Sequence, residues 1–265
     1  MQIFPHEQNT ADDLICLFLE KRHVLYYANI GPGNNYLGWV YDFKIRDSSG
    51  NPVRLDLRSE PDLFLLFALA VYWSRTGPWE NAAYFISWLK TQDSWNIESW
   101  KDENKVSQLQ ARRKEIAGTL KHELEGIDAR RKLSIRKDVF RSIHILAQNW
   151  HQIKNSLEES EREDDYKIFI DHVRNIEGLG VGKKRMMKKI PLILRELRCQ
   201  GRYRNIPGQL CCVTDTRVKD AADELGICLK CTADISSVLE NSAKIYRLFG
   251  ELYDIPLFAY EDVKK

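Results

Sequence analysis

Hydrophobic residues recur at helical spacing along most of the chain. The densest run, from Leu63 to Trp73, follows the helix-start sequence Ser59-Glu-Pro-Asp and predicts a central buried helix. Residues 79–89 predict a second helix that is rich in aromatic side chains. Apolar spacing also predicts a short helix over residues 10–25. These patterns indicate a mostly α-helical protein.

The stretch from residue 100 to 160 is polar, with apolar positions at wide helical spacing. This pattern predicts two long amphipathic helices that cover one side of a core. The acidic run that follows, residues 158–165, is typical of a solvated connection. Residues 166–176 predict another helix, and a further helix extends through Leu197.

Two short segments near the N-terminus alternate apolar and polar residues, which is the pattern of a β-strand. They are residues 39–45 and 53–57, joined by the turn-forming sequence Asp47-Ser-Ser-Gly-Asn-Pro. This β-hairpin is the clearest strand signal in the chain. We therefore expect residues 1–58 to form an extension with a helix and a hairpin, and residues 59–265 to form a helical domain.

The composition is that of a globular protein, with 43% apolar and 29% charged residues among 265, and a net charge of only +2. The longest apolar run is far shorter than the roughly 20 residues that a membrane span needs. The N-terminal residues lack the features of a secretory signal. These observations predict a cytosolic protein, or a nuclear one if the source is eukaryotic, without a membrane partner.

Six cysteines raise the question of a metal site. Cys228 and Cys231 have the spacing of half a zinc site, and the adjacent Cys211 and Cys212 are a candidate second half. Adjacent cysteines point in different directions, however, and no histidine lies nearby at ligand spacing. We therefore expect no metal and interpret these cysteines as small buried apolar residues.

A glycine-rich turn between two predicted helices is the first candidate binding element. Gly178, Gly180 and Gly182 alternate with Leu179 and Val181 in this turn. Small residues allow the backbone amides at the start of the second helix to point outward together, where the helix dipole adds positive charge. Such a turn can hold a DNA phosphate without reading the base sequence.

The charge around this turn favours a nucleic-acid partner. Between Arg174 and Arg204 there are ten Lys or Arg residues against two Glu, a local excess of +8 in a chain whose total is +2. Such asymmetry indicates an electrostatic footprint on one face. The alternative is a basic helix that is merely solvated.

Asp215 is the second candidate functional residue. An apolar run carries the chain to Asp215, which opens a predicted helix with Val218 and Ala222 on one face and Gly226 at its end. The ordinary role of such an aspartate is an N-cap.

Together these segments resemble the helix-hairpin-helix DNA glycosylase superfamily. Gly178-Leu-Gly-Val-Gly-Lys-Lys is similar to its hairpin, Asn205-Ile-Pro-Gly to its Gly/Pro loop, and Val213-Thr-Asp-Thr-Arg-Val to the segment that carries its aspartate. The 31 residues from Lys184 to Asp215 resemble the longer insertion of the archaeal 8-oxoguanine glycosylases. The hairpin element would span about residues 166–198 and the aspartate loop about residues 205–226.

The resemblance implies a base-excision repair enzyme that acts on double-stranded DNA containing a damaged base, with 8-oxoguanine as the expected lesion. Lys184 would attack the sugar and form a Schiff base that permits strand cleavage, and Asp215 would stabilise the developing charge. Lys183 is the alternative nucleophile. The glycines of the turn, together with Lys183 and Arg185, would contact DNA. This chemistry needs no cofactor, and we expect a monomer.

An extruded base needs an aromatic pocket. The resemblance brings Trp73, Trp79, Tyr84 and Trp88 near this pocket, although aromatic residues at helical spacing are also typical of a core. A non-catalytic helix-hairpin-helix DNA-binding protein is the competing interpretation. In that protein Lys184 would contact phosphate and Asp215 would only cap a helix.

Overall fold

The computed structural model describes residues 2–21, 55–73, 79–92, 95–124, 135–179, 188–231 and 234–265, with the backbone alone for residues 73, 79–81 and 121–124. These ranges are mostly α-helical and contain no β-strand, which confirms the predicted helical class. Thirteen α-helices lie within them. They are α1 Pro5–Lys21, α2 Glu60–Trp73, α3 Trp79–Lys90, α4 Ile97–Lys101, α5 Glu103–Ala111, α6 Arg113–Leu124, α7 Lys137–Gln148, α8 Trp150–Glu163, α9 Lys167–Val173, α10 Lys189–Cys199, α11 Thr216–Glu224, α12 Ile235–Phe249 and α13 Ile255–Val263.

The chain divides into two compact units. Unit 1 combines Met1–Gly38 with Lys183–Lys265, and unit 2 is Trp39–Gly182. Helices α1 and α10 to α13 therefore belong to unit 1, and helices α2 to α9 belong to unit 2. The boundary expected after residue 58, between an N-terminal extension and a helical domain, stays a prediction.

The core of unit 2 is built on α2, at the position that the apolar run predicted. Every residue from Leu63 to Tyr72 is buried. The rings of Phe64 and Phe67 meet the Trp150 ring edge-on, with centroids 5.3 and 5.4 Å apart. Edge-to-face pairs of this kind stabilise a core beyond the area that they bury. An apolar helix that is buried on all sides explains why its sequence is hydrophobic without a polar face.

The prediction of two long helices over residues 100–160 is wrong. The described part of this stretch contains five shorter helices, α4 to α8. Asp102 ends α4 and caps α5, because its side chain accepts hydrogen bonds from the amides of Asn104 and Lys105 at 3.0 and 3.2 Å. Asn149 ends α7 and begins α8. Apolar periodicity continues across both breaks, so the spacing alone did not reveal them.

Unit 1 brings the two ends of the chain together. Helix α1 packs on α12 and α13, and its buried residues recur at helical spacing: Glu7, Ala11, Leu14 and Phe18. The helix begins at Pro5, earlier than the predicted start at residue 10. Proline is common in the first turn of a helix, because the amide hydrogen that it lacks would have no partner within the helix there.

The predicted β-hairpin lies almost entirely outside the described residues. Of its second strand the structure describes only Leu55, Asp56 and Leu57, which lead into α2 without forming a strand. Asp56 donates its amide to Asp62 Oδ2 over 2.6 Å, so this segment is held at the start of α2. None of the helices in the described ranges is long and apolar enough to cross a membrane.

Candidate active site

The glycine turn begins as the sequence predicted, with a glycine that no other residue can replace without strain. Helix α9 ends at Val173, and tight turns lead to Gly178, which has a φ of +92°. A Cβ added at Gly178 would lie 3.2 Å from Ser142 Cβ and from Val71 Cγ1. Positive φ and close packing therefore both require glycine here.

Most of the predicted catalytic hairpin lies in the part of the chain that the structure does not describe. Gly180, Gly182, Lys183, Lys184 and Arg185 all fall between residues 180 and 187. The choice between Lys184 and Lys183 as nucleophile stays a prediction. The next described residue is Lys188, which lies directly before α10.

Helix α10 changes the interpretation of the basic segment, because several of its charges are internal. Lys189 is completely buried, and Arg195 is only 4% exposed. Arg198 makes a bidentate ion pair with Glu251, at 2.5 and 2.8 Å. The sequence count of ten basic residues therefore overstates the charge that this segment offers to a phosphate backbone.

Asp215 lies at the predicted start of α11 and caps it. Its backbone is extended, with φ −86° and ψ −177°, and its Oδ1 accepts a hydrogen bond from the Val218 amide at 3.0 Å. Gly226, with a φ of +70°, follows the end of the helix. The residue is half-buried, whereas Val213 and Thr214 before it are buried. The cap thus fixes a carboxylate at a partly exposed helix N-terminus.

A buried ion pair lies next to the Asp215 segment. Asp254 Oδ1 accepts hydrogen bonds from Arg195 Nη1 at 2.6 Å and from the Val213 amide at 2.8 Å. Both charged side chains are almost fully buried. Burial raises the pKa of Asp254, and the charge of Asp215 acts in the same direction, while Arg195 and the Val213 amide oppose the shift.

A second, more exposed network joins α10 to the turn before α13. Burial opposes ionisation of Glu251, but hydrogen bonds from Arg198, Tyr246 and Tyr253 outweigh it and lower its pKa to about 2. Burial, together with the bond to Glu251, raises the pKa of Tyr246 to about 12. Glu251 therefore stays ionised and holds these side chains together at neutral pH.

The loop before Asp215 is packed against this network. A Cβ added at Gly208 would lie 2.2 Å from two carbon atoms of the Tyr246 ring. The Tyr246 hydroxyl donates to Glu251 Oε1 over 2.6 Å, which restrains the ring. The glycine of the Ile-Pro-Gly sequence is therefore needed for the approach of an aromatic ring.

The predicted base-pocket residues are only partly described. Tyr84 is 5% exposed and belongs to the core of unit 2. Trp88 is half-buried and stacks on Phe85, with ring centroids 6.0 Å apart. The side chains of Trp73 and Trp79 lie outside the description.

The cysteines divide into buried and exposed groups. Cys211 and Cys212 are completely buried, and burial raises the pKa of each thiol well above its ordinary value. Burial likewise raises the pKa of Cys199 to about 12. Cys228 and Cys231 are exposed, so the interpretation of these two cysteines as buried apolar residues is wrong. Within the described ranges no group of three or more His, Cys, Asp or Glu side chains could hold a metal ion.

Sequence reasoning missed the residues that hold the Asp215 segment in place, Arg195 and Asp254 above all. Asp254 precedes Ile255 and Pro256 at the start of α13, where a sequence pattern favours a helix cap. In the structure Asp254 makes no cap bond and binds Arg195 and Val213 instead. These contacts join distant parts of the chain and leave no local signal.

No protein-family model matches this chain, and neither a curated protein nor a solved structure matches it.

Proposed function

We propose that this protein is a DNA glycosylase with abasic-site lyase activity, acting on an oxidised base with 8-oxoguanine as the expected substrate. The observation that carries the proposal is the Asp215 carboxylate, fixed and half-buried at the N-terminus of α11. It follows the Pro-Gly loop that the sequence motif requires. A carboxylate held in this way can stabilise positive charge that develops on a sugar.

In the proposed reaction the Lys184 amine attacks the anomeric carbon of the damaged nucleotide. A carbon–nitrogen bond forms to lysine, the glycosidic bond breaks, and the base leaves with its bonding electron pair and takes up a proton. The sugar ring then opens to a Schiff base, which permits strand cleavage by elimination. The nucleotide has to leave the duplex first, because its anomeric carbon is inaccessible in the base stack.

We also propose two structural features within the helical fold, a helix-hairpin-helix and an N-terminal β-hairpin. Helix α9, the glycine turn that begins at Gly178 and helix α10 would form the helix-hairpin-helix, with a β-hairpin in residues 39–57. The partner would be double-stranded DNA with a damaged base, bound by a monomer in the cytoplasm or the nucleus. The positive φ of Gly178 supports the turn.

One observation favours the non-catalytic alternative. Asp215 is an N-cap, bonded to the Val218 amide, and this role alone explains an aspartate at the position. In this alternative the chain binds DNA through its glycine turn and basic residues without removing a base.

Matched substitutions of two capping aspartates distinguish these functions. Asp234 caps α12 through a 2.8 Å bond from the Ser237 amide, in the same manner as Asp215 caps α11. Asparagine caps a helix about as well as aspartate, so Asp215→Asn and Asp234→Asn should both fold normally. The test is single-turnover excision from a duplex with one 8-oxoguanine, against the same duplex undamaged.

Catalysis predicts that Asp215→Asn slows excision by about 100-fold or more, the usual loss when a positioned charge-stabilising group is removed. Asp234→Asn should excise like wild type. A wild-type protein that excises nothing would favour the binding protein, and wild-type rates in both variants would exclude Asp215 from catalysis.

A further inference from the structure

The ion pair between Arg195 and Asp254 connects α10 to the chain just before Asp215. One oxygen of Asp254 accepts hydrogen bonds from both the Arg195 guanidinium and the Val213 amide. Val213 precedes Asp215 by two residues. The segment is therefore held on one side by Asp254 and on the other by the cap bond from Val218 to Asp215.

Stability alone does not account for this pair. Two charges removed from water lose their hydration, and apolar residues of similar volume often stabilise a core as well or better. Burial of the Asp254 carboxylate is costly, so a role for its position is the stronger explanation.

We propose that Asp254 is a positioning residue, which, together with Arg195, holds the Val213 amide and thereby fixes the Asp215 carboxylate at the start of α11. The catalytic part of this inference rests on the proposed function, because it assigns Asp215 to base removal. The positioning part is a property of the free protein and can be measured without DNA.

The chain offers a matched control one helical turn away. Arg198 and Glu251 form a second ion pair between α10 and the turn before α13. Glu251 makes no hydrogen bond with Val213 or Asp215 in the described network. Asp254→Ala and Glu251→Ala each remove one carboxylate from an arginine partner, but only Asp254 accepts the Val213 amide.

Two measurements on the full chain test the inference. The first is amide hydrogen exchange of Val213 and Val218 without DNA. Asp254→Ala, which removes the oxygen that accepts the Val213 amide, should speed exchange at both amides by about 10-fold or more relative to Glu251→Ala, because an opened segment loses its protection. The second is single-turnover excision, in which Asp254→Ala should lower the maximal rate by about 10- to 100-fold without changing the protein concentration for half-saturation.

A double variant covers the case in which Asp254→Ala does not fold. Arg195→Met with Asp254→Leu replaces the charged pair by apolar residues, which buried sites of this kind tolerate. This variant has no acceptor for the Val213 amide, so it should fold yet show the same fast exchange and slow excision.

The outcomes separate the two proposals. Wild-type exchange at Val218 in the folded variants, or an equal effect of Glu251→Ala, would overturn the positioning role. Wild-type protein that removes no lesion would overturn the proposed function, while the exchange result would still decide the role of Asp254.

Discussion

Lys244 Nζ donates to Glu7 Oε1 over 2.5 Å, and neither side chain exposes more than 1% of its surface. The same Glu7 oxygen accepts the Cys228 amide at 2.8 Å, and the Cys228 carbonyl accepts from Lys244 at 3.1 Å. These bonds join α1, α12 and the segment that follows α11. The N-terminal helix is thus tied into unit 1 by a buried charge pair as well as by apolar packing.

Loss of the Glu7 charge should destabilise the protein. Glu7→Gln leaves the buried Lys244 ammonium without a counter-charge, and we expect a loss of about 3 kcal/mol in the free energy of unfolding. Denaturant titration at pH 7 measures this loss. Glu98→Gln, which breaks an exposed pair with Lys101, should cost less than about 1 kcal/mol and serves as the control.

The difference between wild type and Glu7→Gln should depend on pH. Burial opposes ionisation of Glu7, but hydrogen bonds from Lys244 and two backbone amides outweigh it and lower its pKa. The ionised carboxylate therefore contributes stability above its unfolded pKa of about 4.3, and this contribution disappears as the pH falls through the lower folded pKa. A difference that grows on acidification would contradict this assignment. The raised pKa of Asp254 acts in the opposite direction and cancels in the comparison.

A methyl group at Gly208 should disturb the loop before Asp215. Gly208→Ala brings a Cβ to 2.2 Å from the Tyr246 ring, so the ring or the loop has to move. We expect a loss of about 1 to 3 kcal/mol by thermal or denaturant unfolding, which is typical of overpacking. Gly118→Ala, in α6 with no atom within 4 Å of the new Cβ, should stabilise the protein by up to about 1 kcal/mol. If the two variants have equal stability, the contact with Tyr246 does not restrain the loop.

DNA binding should depend on the exposed basic residues and not on the paired ones. Arg204 is exposed, so Arg204→Gln should reduce the slope of log affinity against log salt by about 0.9, the value for one lost phosphate contact. Removal of the Arg198 and Glu251 pair by Gln substitutions at both positions should leave the slope unchanged. Fluorescence anisotropy with a duplex at several salt concentrations measures the slope for each variant. A larger change for the double variant would mean that Arg198 contacts DNA.

The sequence predicted those parts of the fold whose signals are local. Helix α2 has an apolar run behind a proline-containing start, and α11 has Asp215 before it and Gly226 after it, so both were predicted correctly. The breaks at Asp102 and Asn149 have no such signal, because apolar spacing continues through them.

The candidate site was only partly predictable for a physical reason. Asp215 and Gly178 are recognisable because a cap and a tight turn depend on neighbouring residues. The contacts of Asp254 with Arg195 and Val213 depend on how separate helices pack, which no short pattern encodes. Burial also converted Lys189 and Arg195 from apparent surface charges into internal ones.

The central claim is that Lys184 is a nucleophile, and borohydride trapping tests it most directly. Borohydride reduces a Schiff base to a stable covalent bond between protein and DNA. The substrate has to carry an intact 8-oxoguanine, because many exposed amines react slowly with a bare abasic site. Lys183→Gln is the matched control, since it removes a neighbouring charge from the same segment.

We expect wild type and Lys183→Gln to form the adduct and Lys184→Gln to form none while it still binds the duplex, because one charge among several contributes little to affinity. A wild-type protein that gives no adduct with any damaged base, or a Lys184→Gln variant that is trapped as well as wild type, would contradict the account.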